Sequence, residues 1–206
     1  MGLNQGGLAR LIRAAFRRFA HLTQVMVLIA PTICGGSAPI SPQGLRLIRV
    51  SRTSTGEECA LARKAMQDAG ELSGLVAARL AHGDEFIGWQ LQQGDVVCFG
   101  WVTHSDRHIG PTRLPDAPHR AFLFNFHTLA PYRRQGLYLS LLQSIRHVLA
   151  MDSVAELVID VNVKNRASSR AIVRAGFSVA TEVCYCTIFT RWHYLLVRPV
   201  FSTSNS

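Results

Sequence analysis

The stretch that most limits how this chain can fold is residues 121–151. There an apolar, β-prone segment runs through a short basic turn into a long apolar helix. The turn and the first helical residues read T-L-A-P-Y-R-R-Q-G-L-Y-L-S-L-L over 128–142. Backbone N–H groups in the first turn of a helix have no intrahelical partners and carry partial positive charge, so they bind phosphate. Arg133 and Arg134 add formal charge beside them, and Gly136 removes the side chain that would hold a phosphate off the backbone. These residues outline a site for an anionic group, for which the diphosphate of a cofactor is the best match; a solvated basic loop is the alternative. The turn lacks the Gly-Lys-Ser/Thr ending of a P-loop, and one glycine does not make a Rossmann fingerprint.

A second segment, N-R-A-S-S-R-A-I-V-R-A-G-F over 165–177, follows an alternating strand at 157–163. It reads as a short helix with Asn165 at its N-cap and Gly176 at its end. Ala167, Ala171, Ile172 and Ala175 form its apolar face.

Together the two segments resemble the GNAT superfamily of acyl-CoA-dependent N-acyltransferases. The family's first motif runs Val-x-Pro-x-Tyr-Arg-Gly-x-Gly-x-Gly/Ala and then leucines; Tyr132, Arg133, Gly136, Leu141 and Leu142 fall on it. Its second runs Asn-x-x-Ala/Ser, an apolar helix, then Gly-Phe, and Asn165, Ser168, Gly176 and Phe177 match that spacing without a gap. The resemblance extends over about 44–200, with its specific residues between 125 and 177. Three positions depart from the pattern. Pro131 lies one residue late, with Ala130 in its usual place. Tyr138 replaces the last Gly/Ala of the first motif. Ile172 stands where many members carry the tyrosine that protonates the leaving thiolate.

The resemblance implies an N-acetyltransferase that moves an acetyl group from acetyl-CoA to a primary amine by direct transfer in a ternary complex, with no metal. A catalytically inactive acyl-CoA-binding module and a protein N-acetyltransferase are the alternatives. It implies diphosphate binding by Arg133 and Arg134 and by the backbone of Gln135, Gly136, Leu137 and Tyr138. Thr128 and Leu129 would pair with the pantetheine arm, a backbone N–H near Thr128 would polarise the thioester carbonyl, Asn165 would hydrogen-bond the pantetheine arm or the thioester region, and Ser168 would join the cofactor-binding residues. No carboxylate lies in 121–129, so His127 is the local substitute for a general base, a packed strand histidine being the other reading. Asn125, on the same strand face, is a substrate contact or a sheet residue, and Tyr185 is a replacement acid or a core tyrosine. Glu85, His104, Asp106 and His108 are outer candidates, and Trp89, Trp101 and Trp192 either line an acceptor cleft or fill the core. The acceptor is read as a small-molecule amine, with amino sugars first.

With 206 residues, 48% apolar, the chain has enough material for one substantial core. The expected fold is α+β, a mixed twisted sheet of about seven strands flanked by helices, with an added N-terminal amphipathic helix. Residues 1–43 are expected as a basic helix, a strand (24–30) and a linker, residues 44–201 as the acyltransferase domain, and 202–206 as a frayed tail. Within the domain the expected order is strand 45–50, helix 57–82, a hairpin of 86–91 and 96–103, and a loop over 104–119. Strand 121–129, helix 135–151, strand 157–163, helix 166–175 and strands 178–189 and 193–200 follow. The five cysteines lack zinc-site spacing and are expected as buried free thiols of a reducing compartment, the cytoplasm.

Charge is concentrated at the start of the chain. Residues 1–56 hold seven arginines and no carboxylate, out of a net +9. The stretch 8–22 has helical apolar spacing with arginines between. An extension of the fold, an interfacial helix on an anionic membrane surface and a signal peptide are three readings of it, in that order. No nucleic-acid partner is expected.

Overall fold

The computed structural model describes residues 20–35, 41–92, 94–109, 112–114, 116–188 and 192–199, without the side chains of 20, 21, 188 and 192–199. In chain order the elements are β1 (Ala20–Pro31), β2 (Leu45–Val50), α1 (Gly56–Asp68), α2 (Leu75–His82), β3 (Glu85–Leu91), β4 (Val96–Thr103), β5 (Arg107–Ile109) and β6 (Thr112–Leu114). These are followed by β7 (Arg120–Thr128), a 3-10 turn (Ala130–Tyr132), α3 (Leu137–Met151), β8 (Glu156–Asn162), α4 (Arg166–Arg174), β9 (Ser178–Ile188) and β10 (Trp192–Pro199). The expected α+β class and its mixed twisted sheet are what the chain adopts.

The main sheet has eight strands in the order β10-β9-β1-β8-β7-β4-β3-β2. Only β7 and β8 run parallel, and α3 makes the crossover that a parallel pair needs. β1 is an interior strand, antiparallel to β8 on one side and to β9 on the other. The division drawn at residue 43 therefore falls between two strands of one sheet. Strand pairing also claims 20–22, the expected end of the basic helix. Residues 1–19 and 202–206, with the helix and tail assigned to them, lie outside the described residues.

The expected single helix over 57–82 is two. Thr55 and Glu58 form a reciprocal capping box at the start of α1, with Glu57 and Glu58 favourably placed in its first turn. Gly70, in the left-handed region at φ +78, ends it. The Glu71 N–H bonds the Met66 carbonyl and the Gly70 N–H bonds Gln67, the paired bonds of a Schellman cap. The chain then turns and restarts as α2. Part of the expected loop over 104–119 is ordered as the hairpin β5–β6.

Each sheet face is buried. α3 and α4 cover one, where Leu141, Leu142, Ile145 and Ile172 meet Leu123, Leu157 and Ile159. α1 and α2 cover part of the other, where Met66 and Val76 meet Phe86, Phe99 and Trp101. Ile109 and Leu114 of the β5–β6 hairpin pack over Val27, Phe122 and Val158 beside them. Each large apolar side chain removed from water here contributes about 1.5–3 kcal/mol. Trp89 and Trp101, 1% and 0% exposed, belong to this core rather than to a cleft; the side chain of Trp192 is outside the description. The five cysteines are free; Cys98 is buried, but Cys34 is exposed because it lies past the end of β1.

Candidate functional site

β7 and β8 pair only from Arg120–Glu156 to Leu123–Ile159, and beyond that point they separate. A distortion in β7 accompanies the split. Asn125 takes φ +52, rare for a non-glycine residue, and two residues of β7 (Asn125 and Phe126) oppose the single Gly100 of β4. Gly100 is required there, because a Cβ at that position would occupy the Phe126 ring. The wedge between the separated strands opens into two adjoining clefts.

The larger, about 890 Å³, is lined from one side by Phe126, His127, Thr128 and the turn to α3, and from the other by α4. Here the structure assembles most of the residues singled out in the sequence: Thr128, Arg133, Arg134, Gly136, Leu137, Tyr138, Asn165 and Ser168. Gly136 is the N-cap of α3 at φ +75 with no side-chain cap bond, and a Cβ there would meet open space. The first N–H groups of α3 therefore keep their donor capacity, in contrast to the capped α1. Arg133 donates from Nε to the Thr128 carbonyl at 3.0 Å, which leaves its terminal nitrogens to the cleft. Gln135 donates to the Pro131 carbonyl at 3.3 Å and stiffens the turn; it is not among the lining residues. Leu129 is corrected: its N–H bonds Val97 at 2.9 Å and is unavailable to a ligand. Alternation turns the Thr128 N–H to the opposite edge of the strand, toward the split.

Asn165 caps α4, its Oδ1 accepting from the Ser168 N–H at 3.2 Å, while its amide nitrogen stays free to donate. The Gly-Phe that ends this motif is structural. Gly176 is left-handed at φ +91 with the Arg146 guanidinium against it, and Phe177 is core. No carboxylate lines the larger cleft, whereas Arg133, Arg134, Arg170 and Arg174 all do.

The smaller cleft, about 220 Å³, shares Phe126, Tyr138, Asn165 and Ser168 with the larger one, so the two meet. Its polar residues include Asn125, Arg107, Asp160 and Asn162. Asp160 lies on β8, and burial pushes its carboxyl above the usual range against the opposing pull of Arg107, 4.0 Å away. Arg107 rests over the Phe124 ring at 4.1 Å. Asn125 Nδ2 is buried with no partner.

The Tyr138 side chain has a place of its own, apart from the backbone N–H expected to meet the diphosphate. The bulky side chain at the start of α3 turns inward, packs on Phe126 at 5.3 Å and lines both clefts. Burial raises its phenol well above the usual range, so it remains protonated at neutral pH. Ile172 is 1% exposed and lines the smaller cleft beside it.

His127 has the orienting partners that its strand alone did not reveal. Nε2 is 2.9 Å from Asn125 Oδ1 and 3.1 Å from Glu71 Oε1, and the ring stacks on Phe99. Both partners accept, so Nε2 carries a hydrogen and Nδ1 is left to take a proton. Glu71 comes from the turn between α1 and α2 and carries no sequence signal, since it falls within the expected helix 57–82. Tyr185 is not brought to the site. β1 separates its strand from β8, which places it two strand spacings away, roughly 10 Å, packed on the cluster beside Val183. Glu85 pairs with Arg49, Asp106 with Arg113, and neither His104 nor His108 lines the clefts. Among the described residues no group of three or more His, Cys, Asp or Glu is placed to hold a metal, and no helix is long and apolar enough to cross a membrane.

No family model and no curated protein matches this chain. Solved structures do. A GCN5-related N-acetyltransferase from Sphaerobacter thermophilus superposes with a TM-score of 0.61 at 15% identity, over 96% of this chain and 59% of that one. A GCN5-related N-acetyltransferase from Kribbella flavida gives 0.53 at 15% identity, over 94% and 65%. AAC(6')-Iy in complex with the bisubstrate analog CoA-S-monomethyl-acetylneamine gives 0.50 at 13% identity, over 65% of this chain and 90% of that one. The chain thus spans less than two thirds of the first two. At these identities the likeness establishes the fold: this chain has the fold of the GNAT acetyltransferases, as its two motifs implied.

Proposed function

We propose that this chain is an N-acetyltransferase that moves an acetyl group from acetyl-CoA to the primary amine of a small molecule, both substrates being bound at once. The observation that carries the reading is the larger cleft. An uncapped helix N-terminus, a left-handed glycine and four arginines face it with no carboxylate among them. That is the chemistry of a polyanion site rather than of a sugar or peptide groove. The bisubstrate analog held by AAC(6')-Iy supports a ternary complex and keeps amino sugars among the candidate acceptors.

The diphosphate would lie on the N–H groups at the start of α3 with Arg133 and Arg134 beside it. The pantetheine would run along the free edge of β7, with Asn165 donating to it from α4. The thioester would reach the strand split, where the Thr128 N–H faces its carbonyl oxygen as charge develops. The acceptor would occupy the smaller cleft, its ammonium drawn by Asp160. His127, held by Glu71 and Asn125, takes a proton from the ammonium at Nδ1. The amine nitrogen then bonds the carbonyl carbon and the carbon–sulfur bond breaks; Tyr138 passes its phenol proton to the departing sulfur as it takes up the second proton of the attacking nitrogen, so no buried phenolate persists, and His127 releases its proton to solvent. Tyr138, rather than Tyr185, thereby fills the acid role. Alignment of amine and thioester in one wedge contributes up to about 7–11 kcal/mol to lowering the barrier.

Ile172 favours a second reading, an acyl-CoA-binding module without turnover, since no proton donor remains at that position. The cytoplasm, where acetyl-CoA is made and used, is the compartment that fits the first reading; an anionic membrane surface for the arginine-rich head is proposed as a secondary partner. Release of free coenzyme A from acetyl-CoA over a panel of amines separates the readings. Turnover with at least one amine, lost about 10²–10⁴-fold in His127→Ala, is expected. Binding of acetyl-CoA without turnover of any amine selects the module. Unchanged acetyl-CoA affinity in Arg133→Ala/Arg134→Ala removes the diphosphate assignment.

A further inference from the structure

α4 carries arginines at 166, 170 and 174, one stripe at intervals of four residues, and no acidic residue. Like charges at this spacing repel along a helix. Arg174 gains from the negative end of the helix, but Arg166 and Arg170 do not. A stripe of this kind is commonly a solvated face. Two observations separate this one from that case. Arg170 and Arg174 line the larger cleft, alternating with the small Ala167 and Ala171, which leave room against the helix. Among the described residues no carboxylate pairs with Arg134, Arg170 or Arg174.

The cleft thus has two cationic walls. One is the turn to α3, with Arg133, Arg134 and the helix N–H groups. The other is the outer half of α4. A diphosphate satisfies the first and leaves the second without a counter-charge. Coenzyme A has one further phosphate, on the 3′-oxygen of its ribose, with a charge of about −1.5 to −2 near neutral pH.

We propose that Arg170 and Arg174 form a separate subsite for the adenosine 3′-phosphate, which makes the chain selective for free coenzyme A thioesters. A guanidinium pair one helical turn apart reaches a single dianion from two directions and binds it through charge-assisted hydrogen bonds. A thioester carried on a protein-bound phosphopantetheine has no 3′-phosphate and would leave the pair unused. This inference rests on the acetyl-CoA reading of the cleft.

Calorimetric titration of the full chain with coenzyme A and with 3′-dephospho-coenzyme A tests it. The unaltered protein is expected to bind coenzyme A about ten- to a hundredfold more tightly. Arg170→Ala/Arg174→Ala should lose that preference while its affinity for the dephospho form stays constant, and Arg170→Lys/Arg174→Lys should keep part of it. Equal affinity for both ligands in the unaltered protein overturns the subsite whatever the variants do. Equal weakening of both ligands in the alanine variant overturns it too, because the pair would then serve the diphosphate. Binding of neither ligand overturns the acetyl-CoA reading itself.

Discussion

Glu71 Oε1 lies 3.1 Å from His127 Nε2, joining the turn after α1 to the last residues of β7. The contact gives the histidine a fixed ring orientation and a defined tautomer, which Asn125 reinforces from the same strand. A strand histidine held only by packing would have neither.

Glu71→Gln keeps the shape of this contact and removes its charge. A charge-assisted hydrogen bond that steadies a protonated imidazole is worth enough to lower kcat about tenfold. Steady-state kinetics should show that loss with the KM for acetyl-CoA unchanged. Equal kcat in the variant would mean that Glu71 positions nothing.

Tyr138→Phe keeps the packing on Phe126 and deletes the proton donor. Acetyl-CoA affinity should hold while kcat falls about a hundredfold. Because Ile172 and Tyr138 line the same cleft, Tyr138→Phe/Ile172→Tyr should recover part of the rate. A single variant as fast as the parent would end the assignment.

Asp160 is raised chiefly by burial, so the folded chain holds its proton at pH values where the unfolded chain has released it. Stability attributable to this group therefore falls as pH rises from its ordinary value through the raised one, and stays reduced above. Asp160→Asn should melt higher than the parent at pH 7, and the difference should vanish below about pH 4. A gain that persists unchanged at low pH would contradict this origin.

Gly100→Ala places a methyl group in the space of the Phe126 ring. Overpacking of this kind costs about 1–3 kcal/mol, and urea denaturation should report it as a lower midpoint at constant slope. Since Phe126 lines both clefts, acetyl-CoA binding should weaken as well. A neutral variant would show that the ring moves aside freely.

The elements with local signals were legible before the structure. The periodicity of 137–149, the Asn165 cap and the Gly176 stop act within one or two turns of chain, so neighbouring residues carry the whole message. Gly70 is masked as a stop in the sequence because the apolar spacing resumes on its far side. The basic wall of the larger cleft was readable for the same reason, since the turn and its arginines are contiguous.

What the linear order left open was decided by pairings between distant segments. β1 enters the sheet between β8 and β9, and nothing in its own residues names those neighbours. That insertion carries Tyr185 away from the cleft. The split of β7 from β8 brings Asp160 and Arg107 to the smaller cleft, and the fold of the α1–α2 turn delivers Glu71 to His127. Helix caps and apolar periods arise from forces that act over a few residues; strand order and a shared cleft arise from packing the whole sheet, where each partner is chosen by what else has already been buried.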